Sequence, residues 1–255
     1  MGRTNLAGRV ALVTGAAQGM GAAHAARLAA DGATVVVNDR EPSAALEEVA
    51  ARVGGLAMPA DMRDPAAGTA LVRRIEEHLG RLDVLVANHA YMNMAPFLEH
   101  APDDWWKIVE TNLGGTFHLI RSAVPGMRAR GGGRVIVIAS AWGVTGWPDA
   151  TAYAASKAGL ISLVKTLGRE LAPDGVIVNG IAPGVIDTPQ LQVDADAAGM
   201  PLDAIKSNYA KAIPMGRIGS PSEISAAVSL LSDFRLQSIV GQIIQANGGE
   251  IRTRA

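Results

Sequence analysis

The sequence of 255 residues has no cysteine, few aromatic residues and almost no net charge. The absence of cysteine excludes disulfides and thiolate metal sites, and it is in keeping with the cytoplasmic location that we expect. A formal net charge of −1 gives no basic field that would attract nucleic acid or an anionic membrane surface. We therefore expect neither of these as a partner.

Long apolar runs and several well-known catalytic motifs are also missing. No stretch of eighteen or more apolar residues occurs, although a membrane-spanning helix needs about that length. The first residues, Met1-Gly-Arg-Thr-Asn5, do not form a charged and then apolar leader, so we expect no secretory signal. Neither GxSxG nor GxxxxGK is present, which excludes the serine-hydrolase and P-loop interpretations. No metal site is expected either, because the histidines lack HxxxH spacing; they are His24, His78, His89, His100 and His118.

What the sequence does contain is an alternation of short apolar runs and helix-like segments. This alternation predicts an α/β fold, namely a single-domain Rossmann-type doubly wound parallel sheet of about seven strands with helices on both faces. The domain is expected to cover residues 1–255. Segment 189–214 is too long for a plain connection and is predicted to be a substrate lid with a short helix at 200–206. The predicted strands are 10–13, 34–37, 56–58, 84–87, 134–138, 176–181 and 242–245.

The first apolar run ends in a turn rich in glycine and is followed by an alanine-rich stretch. This pattern predicts a strand, a tight turn and a helix. Glycine lets the backbone come close to a ligand, and the free N–H groups at a helix start attract a pyrophosphate. A plain βαβ unit with glycines for packing is the alternative when such a motif stands alone. We predict that a dinucleotide contacts the turn at Gly15, Gln18, Gly19, Met20 and Gly21.

The second apolar run ends in Asn38-Asp39, about 20 residues after the glycines, where a carboxylate would meet the adenosine ribose hydroxyls. Asp39 would repel a 2′-phosphate, and Gln18 is neutral, so the sequence favours NAD over NADP as the cofactor. Arg40 is the counter-evidence, because its guanidinium could pair with a phosphate.

Tyr153 and Lys157 form a YxxxK pair in a segment, 151–171, whose apolar residues recur with helical period. Four residues apart on a helix, the two side chains lie on one face. A phenol has a pKa of roughly 10 and exchanges protons poorly at neutral pH unless a cation stabilises its anion. We therefore predict that Lys157 lowers the pKa of Tyr153, although a YxxxK pair taken alone is more often the edge of an amphipathic helix.

Taken together, TGxxxGxG near the start, Ser140 and the YxxxK pair thirteen residues later resemble the short-chain dehydrogenase/reductase family, over about residues 8–249. The resemblance implies a catalytic set of Asn112, Ser140, Tyr153 and Lys157. Tyr153 would exchange a proton with the substrate oxygen while Ser140 donates a hydrogen bond to it. Asn112 would hold a water that links Lys157 to solvent.

The same resemblance implies further residues around the cofactor. Asp61 and Met62 would lie at the adenine ring, although Asp61 could instead be a helix N-cap. The family's NNAG motif appears here as Ala87-Asn88-His89-Ala90, so we expect His89 to reshape that side of the cofactor site. The PGxxxT loop would lie near the nicotinamide. The additional residues are Asn88, His89, Ala90, Pro183, Gly184, Ile186 and Thr188, together with Tyr153 and Lys157.

The substrate pocket is expected to be bulky and apolar, which predicts a neutral, largely apolar secondary alcohol or ketone. Its predicted residues are Ser140, Trp142, Trp147, Tyr153, Met92 and Met94. One alternative is a 3-oxoacyl-(acyl-carrier-protein) reductase that uses NADPH, against which Asp39 counts. Another is a dinucleotide-binding sensor or scaffold, which would not need Ser140, Tyr153 and Lys157 together. The resemblance also implies a homotetramer that pairs the helices around 103–130 and 151–171.

Overall fold

A sheet of seven parallel strands forms the centre of the protein. The computed structural model describes residues 4–251; residues 1–3 and 252–255 of the predicted domain, and with them most of the segment in which we expect no leader, lie outside this range. The strands are β1 (Val10–Thr14), β2 (Thr34–Asn38), β3 (Leu56–Ala57), β4 (Val84–Ala87), β5 (Gly133–Ile138), β6 (Val176–Pro183) and β7 (Ile243–Ala246). Their order across the sheet is β3-β2-β1-β4-β5-β6-β7.

All seven predicted strands are confirmed, with ends that differ by one or two residues. The runs were readable because strands in a parallel sheet are covered on both faces and are therefore apolar almost throughout. In β1, β4, β5 and β6 every residue is buried. The largest shift is in β6, which continues to Pro183 because Ala182 and Pro183 pair with Gln245 and Ala246 of β7.

Helices connect the strands in the pattern of a doubly wound fold. They are α1 (Gly19–Ala30), α2 (Ala44–Val53), α3 (Pro65–Leu79), α4 (Pro102–Val109), α5 (Gly115–Ala129), α6 (Trp142–Thr145), α7 (Thr151–Leu171), α8 (Gln190–Ala197), α9 (Leu202–Ala212) and α10 (Pro221–Leu231). A π-helical turn, Glu110–Gly114, joins α4 to α5. The helix predicted over 151–171 has the predicted limits in α7.

Two apolar clusters cover the two faces of the sheet. One packs the sheet against α3, α5 and α7 through residues such as Ile75, Leu119 and Leu160. The other packs it against α1, α2 and α10 through residues such as Leu28 and Val228. The predicted helices on both faces are therefore confirmed. Within residues 4–251 no helix is long and apolar enough to cross a membrane, and no group of side chains forms a metal site.

The segment predicted to be a lid folds as two helices. Helix α9 begins at Leu202 and continues to Ala212, so it is longer than the predicted helix at 200–206, while α8 was not predicted. An ion pair between Lys206 and Asp187, with 2.8 Å between Nζ and Oδ1, holds α9 to the chain that precedes α8.

The order of the strands reverses between β1 and β4. From β1 the chain continues to β2 and β3 on one side, and from β4 it continues to β5, β6 and β7 on the other side. In open α/β sheets, ligands bind in the crevice that such a reversal leaves outside the carboxyl ends of the strands. The turn after β1 and the loop after β4 border this crevice, which places the predicted cofactor residues at its mouth.

Candidate active site

A cleft of about 830 Å³ lies at the reversal point of the sheet. It extends from the turn after β1 to the loop after β4 and is closed on one side by the start of α8. Most of the predicted cofactor residues line it. They are Gly15, Gln18, Gly19, Met20, Gly21, Asp39, Asp61, Met62, Asn88, His89, Ala90 and Thr188.

The turn after β1 is shaped by glycines that no other residue could replace without movement. Gly15 and Gly19 have φ angles of +63° and +57°, which side chains rarely adopt. A Cβ atom on Gly21 would lie 2.0 Å from the carbonyl oxygen of Gly15. Helix α1 follows with no side-chain cap at Gln18 and no acidic residue in its first turn. Its first N–H groups are thus available to an anion, and the site fits a pyrophosphate.

Asp39, just after the end of β2, lines the cleft with its carboxylate fixed in place. Its oxygens accept hydrogen bonds from the backbone N–H groups of Ala17, at 3.0 Å, and Arg40, at 2.8 Å. The Arg40 guanidinium turns to Glu41, with 2.9 Å between the charged atoms. The Arg40 charge is therefore already paired with the Glu41 carboxylate, and Asp39, Arg40 and Glu41 together carry a net negative charge.

Asn88 and His89 tie the loop after β4 to β1. Asn88 donates to the carbonyl oxygens of Thr14 and Gly15, at 2.9 and 3.1 Å, and within residues 4–251 its own buried Oδ1 has no partner. The His89 ring lies between Thr14, 2.7 Å from Nδ1, and Thr116, 3.5 Å from Nε2. Burial lowers the pKa of His89 to about 4, so the ring is neutral at pH 7.

The space for the His89 ring comes from Gly115 at the start of α5. A Cβ atom there would lie 3.1 Å from His89 Nε2 and 2.6 Å from the carbonyl oxygen of Met62. The glycine at position 115 therefore leaves room for the ring of His89, which is larger than the alanine at this position of the family's NNAG motif.

Asp61 lies in the cleft and is not the N-cap of α3. That position belongs to Asp64, whose Oδ1 accepts from the N–H of Ala66 at 2.8 Å. Asp61 instead accepts from the N–H of Arg63. The N-cap alternative for Asp61 is wrong because the helix starts at Pro65, one residue after Asp64.

A second, smaller pocket of about 210 Å³ adjoins the cleft. Met20, Ala90, Thr188 and Gln190 line both cavities, so the two share a wall. The pocket is where Ser140, Tyr153, Trp142 and Met92 come together, as the sequence predicted. Gly184 and Ile186 also line it, although they were predicted at the cofactor.

Tyr153 and Lys157 lie on one face of α7, with Lys157 Nζ 5.4 Å from the centre of the Tyr153 ring. Nζ donates to the carbonyl oxygen of Ile138 at 2.8 Å. Burial raises the pKa of Tyr153 to about 12; the Ser140 hydroxyl lowers it and the charge of Asp194 raises it further. Burial also lowers the pKa of Lys157 to about 7.

These shifts correct one prediction, since the pKa of Tyr153 is raised and not lowered. The physical cause is that burial in a low-dielectric site disfavours the charged form of both groups. Lys157 loses part of its positive charge near pH 7 for the same reason and so stabilises the tyrosinate less than a fully protonated lysine would.

Ser140 is placed by the end of β5 and the short helix α6. Its Oγ accepts a hydrogen bond from the N–H of Trp142 at 3.2 Å. Helix α6 packs closely on α7 because residue 143 is glycine, where a Cβ atom would lie 2.7 Å from the carbonyl carbon of Lys157. This contact brings Ser140 and Trp142 to the side of the pocket occupied by Tyr153, whose ring centre lies 6.0 Å from that of Trp142.

Asn112 is fully buried in the π-helical turn, and its side chain is occupied by protein groups. Its Oδ1 accepts from the N–H of Tyr91, at 2.7 Å, and its Nδ2 donates to the Tyr91 carbonyl oxygen and to Ser156 Oγ. Ser156 in turn donates to the carbonyl oxygen of Tyr153 at 2.7 Å. Across residues 4–251 no hydrogen bond joins Asn112 to Lys157, so its side chain connects the loop after β4 to α7.

Four predicted residues line neither cavity. Trp147 stacks on Trp142, with 4.9 Å between the ring centres, and its ring centre lies 6.4 Å from that of Tyr209. Met94, Lys157 and Pro183 are also absent from both linings, and of these Lys157 and Pro183 are buried.

Residues on the two lid helices contribute to the pocket without having been predicted. They are Gln190, Leu191, Asp194 and Tyr209. Leu191 and Ala195 form the buried face of α8 in the structure, but two apolar positions are too few to predict a helix from the sequence. Tyr209 had no signal in the sequence either.

Comparisons with known proteins agree with this geometry. The family model described as enoyl-(acyl carrier protein) reductase matches residues 15–250. A short-chain dehydrogenase/reductase of Armillaria gallica is 36% identical over 251 residues, which cover 95% of each chain. The 3-oxoacyl-(acyl-carrier-protein) reductase of Staphylococcus aureus is 34% identical, over 94% of this chain and 96% of its own.

A solved structure shows the same fold. The crystal structure of levodione reductase superposes with a TM-score of 0.92 at 29% identity, over 96% of this chain and 98% of its own.

Proposed function

Because the chain belongs to the short-chain dehydrogenase/reductase family, whose members are NAD(P)-dependent oxidoreductases that transfer a hydride, we propose that it uses NAD to interconvert a neutral, largely apolar secondary alcohol and its ketone. One observation carries the proposal. The pocket that holds Ser140 and Tyr153 shares a wall with the cleft that fits a dinucleotide.

NAD is held, in this proposal, by the cleft residues named above. The turn from Gly15 to Gly21 and the uncapped start of α1 receive the pyrophosphate. Asp39 accepts hydrogen bonds from the adenosine ribose and repels a 2′-phosphate. The pairing of Arg40 with Glu41 supports NAD over NADP, because the cation that could bind a phosphate already faces a carboxylate.

The nicotinamide ring, when bound, donates or accepts the hydride. The protein handles the proton. Tyr153 donates its phenolic proton to the ketone oxygen during reduction and accepts it back during oxidation. Ser140 donates a hydrogen bond to the same oxygen as negative charge develops, which in a well-studied hydrolase is worth about 2.7–4 kcal/mol.

Lys157 and Asn112 act through Tyr153. An ammonium has three donors, and within residues 4–251 one of those on Nζ is used, in the hydrogen bond to the Ile138 carbonyl oxygen. The remaining donors and the positive charge favour the tyrosinate. Asn112 is a positioning residue, since it holds Ser156 and through it the backbone of Tyr153.

Reduction of a carbonyl rather than a carbon–carbon double bond is supported by the arrangement of donors. Both the Ser140 hydroxyl and the Tyr153 phenol line one small pocket, as two donors to one oxygen require. The names of two relatives also refer to acyl ketones or to dehydrogenases.

The second candidate is a 3-oxoacyl-(acyl-carrier-protein) reductase, which the name of the Staphylococcus aureus relative favours. Such an enzyme must accept a carrier-bound thioester, and it would use NADPH. The carboxylate of Asp39 counts against this candidate.

The test follows absorbance of the reduced nicotinamide while purified protein receives NAD or NADP and a panel of secondary alcohols, with an acetoacetyl thioester as the rival substrate. We expect kcat/KM to be higher with NAD than with NADP and higher for cyclic, apolar alcohols than for small hydroxy acids. Turnover of the thioester with NADPH alone would favour the second candidate. Binding of NAD without turnover of any compound would favour a sensor.

The homotetramer and the cytoplasmic location stay predictions. Exposed apolar side chains on the helices that would pair support the assembly: Trp106 on α4 is 57% exposed and Phe117 on α5 is 41% exposed. Sedimentation of the purified protein measures the assembly directly.

A further inference from the structure

The substrate pocket contains one charged side chain that the proposed chemistry does not use. Of the residues that line it, Asp194 alone carries a formal charge, and the rest of the wall is formed by apolar, aromatic or neutral polar side chains. Asp194 lies on α8, is half-buried, and lines the pocket together with Tyr153 and with Tyr209 of α9.

The Asp194 carboxylate is not saturated by protein groups. Its Oδ1 accepts a hydrogen bond from Gln190 Nε2 at 3.1 Å. Among the residues from 4 to 251 it makes no ion pair and accepts no other side-chain hydrogen bond, so its second oxygen has no protein partner there. Partial burial raises the pKa of Asp194, and the carboxylate charge in turn raises the pKa of Tyr153 and of Tyr209.

Because Asp194 is half-buried, water can satisfy its free oxygen until a ligand enters the pocket, and the ligand must then replace the hydrogen bonds of the water that it displaces. An ionised carboxylate only accepts hydrogen bonds, and it accepts them more strongly than a neutral group does. A ligand with a hydrogen-bond donor at this place would gain affinity. A ligand with only a lone pair would be repelled by the carboxylate, and a ligand with a methyl group would leave the carboxylate oxygen without a hydrogen bond.

Resting on the proposed function, we infer that Asp194 selects substrates that carry, besides the reacting oxygen, a second hydrogen-bond donor such as a hydroxyl group. The substrate class then narrows from a neutral, largely apolar ketone to a neutral, largely apolar hydroxy ketone. A hydrogen bond of the same i, i+4 spacing is made two residues further along α8, on its exposed side, by Gln192 and Asp196.

This repetition provides a matched control. Asp196 accepts from Gln192 Nε2 at 2.7 Å, with the same spacing of four residues, but it is exposed and lines neither cavity. Asp194→Asn removes the charge of the pocket carboxylate with little change in shape, and Asp196→Asn does the same outside the pocket.

The experiment measures reduction, with NADH, of three cyclohexanones that carry a hydroxyl, a methoxy or a methyl group at the ring position opposite the carbonyl. For the wild type we expect kcat/KM to be about tenfold higher for the hydroxyl compound than for the methyl compound, and lowest for the methoxy compound. In Asp194→Asn the hydroxyl preference should fall to about twofold or less and the methoxy compound should rise relative to the methyl compound, because the amide offers a donor. Asp196→Asn should keep the wild-type ratios.

Equal kcat/KM for the three ketones in the wild type, or loss of the preference in Asp196→Asn as well, would overturn the inference and leave the proposed function intact. Failure of the wild type to reduce any of the three, with NADH bound as shown by its fluorescence, would overturn the proposed substrate class and the inference with it. Thermal melting of the two variants shows whether α8 still folds.

Discussion

The cleft for the dinucleotide and the pocket beside it share a wall but are constructed differently. The cleft is shaped mainly by backbone, through the glycines at 15, 19 and 21 and the uncapped start of α1. The pocket is shaped by side chains from the loop after β4, from α6 and α7, and from the lid helices. A backbone site needs particular residues at fixed spacing, whereas a side-chain site can change with every substitution in its wall.

The largest effect is expected in the pocket, when the hydroxyl oxygen of Tyr153 is removed. Tyr153→Phe should lower kcat by about 10²–10⁴-fold, the usual contribution of a positioned acid or base, while the dissociation constant of NAD stays near that of the wild type. Steady-state kinetics and a fluorescence titration measure the two quantities. Tyr209→Phe removes a hydroxyl from the same pocket and should change kcat only slightly; an equal loss in both variants would contradict the role of Tyr153.

The corresponding test of the cleft adds a Cβ atom to a glycine of the turn after β1. In Gly21→Ala the new Cβ atom would lie 2.0 Å from the Gly15 carbonyl oxygen, so the turn must shift, at a cost of about 1–3 kcal/mol. We expect a lower melting temperature and an NAD affinity reduced by about tenfold or more. Gly114→Ala, where a Cβ atom meets nothing within 4 Å, is the control. Wild-type affinity in Gly21→Ala would show that the cleft does not depend on this glycine.

The buried side chain of Lys157 predicts a dependence of stability on pH. Between its folded pKa of about 7 and its ordinary value of 10.5, the unfolded chain holds a proton that the folded chain lacks. Stability should therefore rise with pH across this window, by at most about 1.4 kcal/mol for each pH unit.

Urea denaturation of the wild type and of Lys157→Met at several values between pH 7 and 10 isolates this contribution. The difference between the two proteins should change steadily in favour of the wild type as the pH rises. A difference that does not vary with pH would mean that Lys157 keeps its ordinary pKa and stays protonated in the folded protein.

The smallest effect is expected at the adenosine end of the cleft. Asp39→Asn keeps an acceptor for the Ala17 N–H but removes the charge that repels a 2′-phosphate, so the ratio of kcat/KM for NAD to that for NADP should fall by about tenfold. Glu41→Gln, which frees the Arg40 guanidinium, should shift the ratio in the same direction. An unchanged ratio in both variants would mean that residues other than Asp39 and Glu41 determine the preference between NAD and NADP.

The difference between the two cavities also explains how much could be predicted. The seven strands and the limits of α7 followed from periodicity, and the glycine turn from its spacing, since each depends on local backbone geometry; most other cleft residues were implied by the family resemblance. Trp147 and Met94, which line neither cavity, lie in loops, and the direction of a loop side chain depends on the surrounding fold. The pKa of Tyr153 was wrong in direction because burial depends on the whole fold. Helix α8, and with it Asp194, was missed because its sequence has weak helical periodicity.

The shared wall at Met20, Ala90, Thr188 and Gln190 has a kinetic consequence. A bound coenzyme would form one side of the smaller pocket, so an alcohol that bound first would meet an incomplete binding site. Steady-state mechanisms with a compulsory sequence arise in this way: coenzyme enters before its reaction partner and departs after it. Product-inhibition patterns should then show the oxidised and reduced nucleotides competing with each other, while ketone and nucleotide do not.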